Sequence, residues 1–348
     1  MEEKPDIKIV FGENLPDNSL VREIMKRAER FSVEVIEGDY TEEGATGRLY
    51  LSSQKGFIRP CPCSRKYRCC NYFTIDTIEG CLYDCEYCAL KTFIDRTKIL
   101  VKVDVDEMIM EMRGFMEMAH SKGRTIRIGT GELSDSLALE WIVPFAPILI
   151  EETKDSESLI LEFKTRSTEI STLIGLPHNS RTTVSFSLST EYLKDALERN
   201  TPSIGERILA AKRLLEDNYR VGFHLDPIIY YDSYERDYEG TIRLISENIP
   251  YEAISWISMG TIRFNPDLIS EFRSPVLFRE YVLDAEKKYR YPYILRKEIY
   301  KKVYRLIRDY LGSRVRVYLC MESDSMNEAI LSKRFRTDEE MNRYIISL

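Results

Sequence analysis

The 348-residue sequence has no apolar run approaching the roughly 18 residues that a membrane span needs. That excludes an integral helical membrane protein on the sequence as read. Its first residues, MEEKPDIKIVFGENLPD, are charged and lack the apolar core of a signal peptide, so a cytoplasmic protein is expected. Positive charge is in deficit: the net charge is −7, which argues against a molecule-wide nucleic-acid surface and leaves only local basic patches. Low-complexity segments and internal repeats are absent. Histidine is scarce, at three residues. His120 ends a helical stripe and reads as solvated, and His178 follows Pro177 in a loop. His224 and Asp226, two apart on one strand face, form either a site pair or a hydrogen-bonded core pair.

What the sequence does have is cysteine, eight of them, with seven between Cys61 and Cys88 and the last at Cys320. In a cytoplasmic protein this concentration points to metal or redox chemistry rather than a disulfide framework. The stretch Gly80-Cys-Leu-Tyr-Asp-Cys-Glu-Tyr-Cys-Ala-Leu90 carries Cys81, Cys85 and Cys88 in C-x3-C-x2-C spacing, directly after an alternating apolar run. Thiolates are the usual ligands of iron–sulfur clusters, and three of them leave one iron of a [4Fe–4S] cube open to a substrate or cofactor. A zinc knuckle is the competing reading, but three cysteines give zinc too few ligands for a closed site.

From residue 72 onward strands and helices alternate. Strands are expected at 72–78, 124–130, 158–164, 182–188, 219–226 and 253–261, with helical stripes at 106–121, 136–152, 203–217 and 236–247. Such alternation argues for a parallel sheet with right-handed crossovers. Residues 99–105 read as an extra edge strand. Before this region lie a strand at 7–11, a helix at 20–31, a strand at 32–36 and a loop at 44–56. After it come a basic amphipathic helix at 294–311 and a last strand at 314–319. The expected domains are an N-terminal extension with the cysteine cluster (1–70), the main α/β unit (71–290) and a C-terminal helix and strand (291–348).

The cysteine loop resembles the signature of the radical S-adenosylmethionine (SAM) enzymes, which implies a partial (β/α)6 barrel, a [4Fe–4S] cluster and SAM. Further segments resemble the spore photoproduct lyases within that superfamily. They are Gly129-Thr-Gly-Glu-Leu-Ser-Asp135, Phe163-Lys-Thr165, Phe186-Ser-Leu188, Gly205 to Lys212 and Gly222-Phe-His-Leu-Asp-Pro-Ile228, in order across about residues 70–320. The resemblance implies that Ser134 and Asp135 contact the polar groups of SAM, that Lys164 faces its carboxylate, that Ser187 helps hold it, and that the Tyr87 backbone meets the adenine. Glu132, Ser134, Asp135, Lys164, Ser187 and Asp226 all fall at carboxyl ends of strands, where chemistry sits in barrel-like α/β folds. The implied partners are a reductant such as flavodoxin or ferredoxin and a substrate that the sequence does not name.

The resemblance also breaks in places. The lyases carry a hydrogen-donating cysteine near the end of the second strand, and the aligned position is Glu132. They have a tyrosine after the third cluster cysteine, and Ala89 stands there. Their DNA-inserting hairpin precedes the last long helix, and the matching stretch Lys288–Arg296 is shorter and contains Pro292. These departures favour a lyase-like relative with a different substrate. Two readings compete with it. One is a DNA or RNA lesion-repair lyase, which would use a basic face built from Lys287, Lys288, Arg290, Arg296, Lys297, Lys301, Lys302 and Arg305. The other is a non-catalytic iron–sulfur protein. Independently of the resemblance, Cys61, Cys63, Cys69, Cys70 and Cys320 suggest a second metal site, either an auxiliary iron–sulfur cluster or zinc. One of the adjacent Cys69 and Cys70 is expected to be spare.

Overall fold

The computed structural model describes residues 4–12, 14–38, 48–63, 67–95 and 98–347. The chain begins with β1 (Lys8–Phe11), α1 (Ser19–Arg30), β2 (Glu34–Glu37) and β3 (Arg48–Ser52). Helix α1 is capped by the Asn18 side chain, which accepts from Val21 N, and buries Leu20, Val21, Ile24 and Ala28. Short strands follow: β4 (Ile58–Pro60), β5 (Phe73–Ile75), β6 (Ile78–Glu79), β7 (Asp84–Cys85) and β8 (Ile99–Lys102). The alternating part is α2 (Val105–Ser121), β9 (Ile126–Thr130), α3 (Phe145–Thr153), β10 (Leu159–Thr165), β11 (Thr182–Ser187), α4 (Glu191–Leu197), β12 (Glu198–Arg199), α5 (Ile204–Leu215), β13 (Arg220–Ile228), α6 (Tyr234–Asn248) and β14 (Ile254–Thr261). The chain closes with β15 (Arg263–Phe264), β16 (Val282–Leu283), β17 (Tyr289–Arg290), α7 (Tyr293–Leu311), β18 (Val317–Leu319), α8 (Asp324–Leu331) and α9 (Asp338–Ile346).

The main sheet runs in the order β18-β14-β13-β11-β10-β9-β5-β4. Six strands, β5, β9, β10, β11, β13 and β14, are mutually parallel and follow chain order, which is the partial (β/α)6 barrel. Strand β18 adds in parallel at one edge and β4 antiparallel at the other. A second sheet, β2-β1-β3-β8-β6, forms the N-terminal layer.

Several sequence expectations need correction. The segment 44–56 contains β3, with Leu49, Tyr50 and Leu51 buried in the middle of the N-terminal sheet; the part before Arg48 lies outside the described residues. The run 72–78 divides between the two sheets, because β5 pairs with β9 and β6 pairs with β8. Strand β8 lies inside the N-terminal sheet, not at an edge. The helix expected at 136–152 starts only at Phe145, because Pro144 ends the preceding turns, a position where proline fits poorly inside a helix. Helices α4, α8 and α9 were not foreseen.

The concave face of the half-barrel is polar. Residues at period-two positions point into it: Arg127 on β9, Glu162 and Lys164 on β10, Ser185 and Ser187 on β11, His224 on β13, Trp256 and Ser258 on β14. Glu162 is fully buried. Its Oε1 accepts from Ser185 Oγ at 2.5 Å and from Trp256 Nε1 at 3.0 Å, and lies 3.0 Å from His224 Nε2. Arg127, also fully buried, lies over the rings of Trp256, Tyr318 and Tyr72. Gly129 is required beside this network. A Cβ there would overlap the Glu162 carbonyl of the neighbouring strand and lie 2.5 Å from the Tyr72 hydroxyl.

Candidate active site

The loop from Gly80 to Thr92 lies against the carboxyl ends of β9 and β10 and is tied down on every side. Gly80 has φ +104, and a Cβ there would lie 2.8 Å from the Lys98 carbonyl, so only glycine enters the loop without strain. Gly80 N donates to Leu133 O at 2.9 Å, joining the loop to the segment after β9. Strand β7 pairs antiparallel with β12, setting Cys85 opposite Glu198, and Glu86 N donates to Leu197 O. The Glu86 carboxylate accepts from the backbone N–H groups of Arg273 and Ser274. The Tyr87 ring is buried, and its hydroxyl donates to Glu198 Oε1 at 2.6 Å and accepts from Arg166 Nη2 at 3.2 Å. Arg207 Nη2 holds the other Glu198 oxygen at 2.6 Å. Burial works against the Glu198 charge, but Arg207 and Arg166 outweigh it and keep the carboxyl below its usual range.

This scaffold gathers the three loop cysteines. Cys85 lies within electrostatic reach of both Cys88 and Cys81. Burial pushes the Cys81 thiol up to about 12, with Asp135 adding to the shift, while the N–H groups of Tyr83 and Asp135 point at its sulfur and favour the thiolate. Burial likewise raises Cys85, and the Arg166 guanidinium opposes it. The Tyr83 N–H at 3.4 Å from Cys81 Sγ and the Arg166 guanidinium on the Cys85 side are donors that thiolates holding a cluster would accept from.

The residues expected around SAM meet at the same strand ends. Asp135 is buried. Its Oδ1 accepts from Leu137 N, Ala138 N and Thr165 Oγ1, and its Oδ2 from Arg166 N at 2.6 Å. Its carboxylate therefore fastens the loop after β9 to the end of β10, and it serves the site by holding its neighbours in place. Ser134, just before it, is half-buried. Lys164 Nζ lies 3.6 Å from the Tyr72 ring centroid. Burial works against its charge, and Glu162, Glu132 and Cys61 more than restore it, so it stays an ammonium. Glu132 is half-buried within reach of Lys164 and Cys61. Ser187 lies on β11 opposite His224, and its carbonyl accepts from Arg207 Nη1 at 2.9 Å.

His224 and Asp226 do not pair with each other. His224 Nδ1 lies 2.5 Å from Ser258 Oγ, and its other nitrogen faces Glu162. Asp226 lies 3.6 Å from Arg263 Nη2. Arg166, Glu198 and Arg207, which set the Tyr87 side chain, were missed from the sequence. Arg166 had a signal, since it continues the alternation of Glu162 and Lys164 at the strand end.

The basic run from Lys287 to Arg305 is divided between core and surface. Arg290 and Arg296 are buried against Glu322, at 2.6 and 3.0 Å. Lys302 and Arg305 both pair with Glu235, and Lys301 with Glu298. A hairpin does precede α7, over residues 282–290 where the sequence places the matching stretch at 288–296, and its strands β16 and β17 are two residues each. Among the described residues no helix is long and apolar enough to cross a membrane.

The spore photoproduct lyase family profile matches residues 66–313. A spore photoproduct lyase of Clostridium acetobutylicum is 23% identical over 254 residues, covering 70% of this chain and 74% of that protein. The Bacillus subtilis spore photoproduct lyase is 24% identical over 181 residues, about half of each chain (52% and 52%). A solved spore photoproduct lyase variant with dinucleoside spore photoproduct superposes with a TM-score of 0.79 at 18% identity, covering 91% of this chain and 99% of that one. A second solved complex with the same dinucleoside gives 0.78 at 19% identity, covering 91% and 100%. The chain belongs to the spore photoproduct lyase family of radical-SAM enzymes, which work with a [4Fe–4S] cluster and SAM.

Proposed function

We propose that this chain reductively cleaves SAM at the Cys81–Cys85–Cys88 loop and directs hydrogen abstraction at a substrate other than spore photoproduct. The observation that carries the reading is the placement of Cys81, Cys85 and Cys88 on one tied-down loop, Cys85 buried and the other two half-buried, beside the strand ends that also present Glu132, Ser134, Lys164 and Ser187. Cys81, Cys85 and Cys88 would hold the cluster, leaving one iron for the amino and carboxylate groups of SAM. With SAM bound and an electron from a flavodoxin- or ferredoxin-type donor, the cluster would supply the reductive cleavage of SAM.

The protein's own residues bind and orient. Lys164 keeps its positive charge and can neutralise the SAM carboxylate. Ser134 and Ser187 offer hydroxyls at the same strand ends, and Asp135 fixes the loop carrying Ser134. The Tyr87 side chain is committed to Glu198 and Arg166, which leaves its backbone to face the cofactor. Glu132 places a carboxylate at the mouth, and a carboxylate does not donate a hydrogen atom as a thiol does. A repair lyase acting on nucleic acid draws support from the names of the relatives, but Glu132 at the position of the lyases' hydrogen-donating cysteine and the burial of Arg290 and Arg296 against Glu322 do not favour it.

The test is anaerobic reconstitution and reduction with SAM. 5′-Deoxyadenosine and methionine should form, and Cys85→Ala should form neither. Clean conversion of spore photoproduct to thymidines would overturn the substrate part of the reading, and 5′-deoxyadenosine from the Cys85→Ala protein would overturn the whole.

A further inference from the structure

Five cysteines lie outside the radical-SAM loop, and the topology gathers them where the two edges of the half-barrel meet. At one edge β4 pairs with β5, and Cys61 N continues that ladder by donating to Tyr72 O at 2.9 Å. Cys63 N then turns back to Cys61 O at 2.6 Å. At the other edge Cys320 N donates to Met259 O, keeping Cys320 in line with β18. A bridge between Arg68 and Glu322 brings the two together, with Arg68 N donating to Glu322 O at 2.9 Å. The Arg68 guanidinium binds Asp324 and Asp338, and Asp338 also accepts from Cys69 N. Because the bridge is antiparallel, it turns Cys70 toward Cys320, each two residues from it, and the bond from Cys61 N to Tyr72 O brings Cys61 to the same edge. Four of the thiols are close in sequence, and the fold adds Cys320 from the opposite edge.

The surroundings hold donors without acceptors. Arg127 is fully buried, and its Nε and Nη2 have no hydrogen-bond partner, although Cys70 lies within its electrostatic reach. Arg263 Nη2 donates to Cys320 Sγ at 3.4 Å, while its buried Nη1 has no partner. Lys164 faces the same thiols from β10. Glu162, Glu132 and Asp226 balance part of this charge but leave those N–H groups unused. Buried donors are rarely left unsatisfied, so two such guanidinium groups turned on a set of thiols point to an anionic group that accepts from them.

Zinc is the competing occupant, and it would draw its thiolates in to Zn–S bonds of about 2.3 Å. An iron–sulfur cluster spreads its thiolates wider than one ion does, and its sulfides accept N–H hydrogen bonds.

We propose that Cys61, Cys70 and Cys320, with a fourth thiolate from the Cys63–Cys69 pair, hold a second iron–sulfur cluster bridging the two edges of the half-barrel. On taking up a preformed cluster the four thiols release their protons to solvent, and the anionic product accepts from Arg127 and Arg263. The cluster lies across Lys164 and Glu132 from the radical-SAM loop, facing the mouth of the barrel.

The test uses two variants of the full chain, reconstituted anaerobically with iron and sulfide. Cys81→Ala/Cys85→Ala/Cys88→Ala should keep iron and acid-labile sulfide in near-equal amounts. On reduction it should give a paramagnetic signal that does not respond to SAM. Cys61→Ala/Cys320→Ala should lose that iron and keep the SAM-responsive signal. A triple variant that folds, by circular dichroism, yet holds no labile sulfide or binds zinc would overturn the proposal. If the triple variant does not fold, the parent decides: more than about six irons per chain supports the second cluster, and about four refutes it.

Discussion

Asp135 gives the sharpest structural test because its carboxylate serves four donors at once. Oδ1 takes Leu137 N at 3.0 Å, Ala138 N at 3.0 Å and Thr165 Oγ1 at 2.6 Å, and Oδ2 takes Arg166 N at 2.6 Å. Asp135→Asn is isosteric. Its amide oxygen can keep the three Oδ1 bonds, but its NH2 then faces the Arg166 N–H, donor against donor. Hydrogen bonds to a charged acceptor contribute about 1.5–3 kcal/mol each, and stranding a buried donor costs about 1–3 kcal/mol. Counting the lost bond and the stranded N–H as one event of about 1–3 kcal/mol, and about 1 kcal/mol for each of three bonds that pass to a neutral acceptor, the cost is about 4–6 kcal/mol, at the low edge of the 5–15 kcal/mol that holds a typical domain together. The variant should therefore fold only marginally, with a much lower urea midpoint at unchanged m. It should also bind SAM at least about tenfold more weakly, because Ser134 and the N–H aimed at Cys81 belong to the same turn. A urea stability within about 0.5 kcal/mol of the parent would refute the assignment of Asp135 as the fastener of the site.

Three further outcomes follow from the buried polar interior. Gly129→Ala should give little soluble native protein, since its methyl meets the backbone of β10; a normal thermal melt for this variant would contradict the strand packing. Glu162→Gln leaves the buried Arg127 without its carboxylate and should cost about 3–5 kcal/mol in chemical denaturation. Burial pushes the Glu140 carboxyl up to about 8 against bonds from Ala146 N and Thr172 Oγ1, from an ordinary value of 4.5. The folded chain thus keeps a proton that the unfolded chain releases, so stability should fall as pH rises from about 4.5 to 8. Glu140→Gln should flatten that slope in urea titrations across pH.

The barrel was legible because the outward face of each strand is apolar and regular. The six parallel strands fall where alternation and the intervening helical stripes put them. The cysteine loop was legible for a different reason, since local spacing decides its chemistry. The polar lumen was not. Arg127, Glu162 and His224 alternate with apolar neighbours just as solvated residues would, and only the curl of the sheet makes their face an interior. Arg296 misled for the same reason: it lies in a run of exposed lysines, and its partner Glu322 arrives 26 residues later. Arg48–Ser52 was hidden by its polar, glycine-bearing flanks, although its three central residues are core. The thiols of Cys61–Cys70 suggested a metal site from density alone, but only the Arg68–Glu322 bridge explains how Cys320 joins them.

The central claim is that Cys81, Cys85 and Cys88 hold a cluster whose open iron takes SAM. Electron paramagnetic resonance of the reduced, reconstituted protein, recorded with and without SAM, tests it most directly. The account predicts a signal that shifts when SAM is added, and loss of that shift in Cys85→Ala. A reduced spectrum indifferent to SAM in the parent, or a SAM-dependent shift that survives in Cys85→Ala, would contradict it.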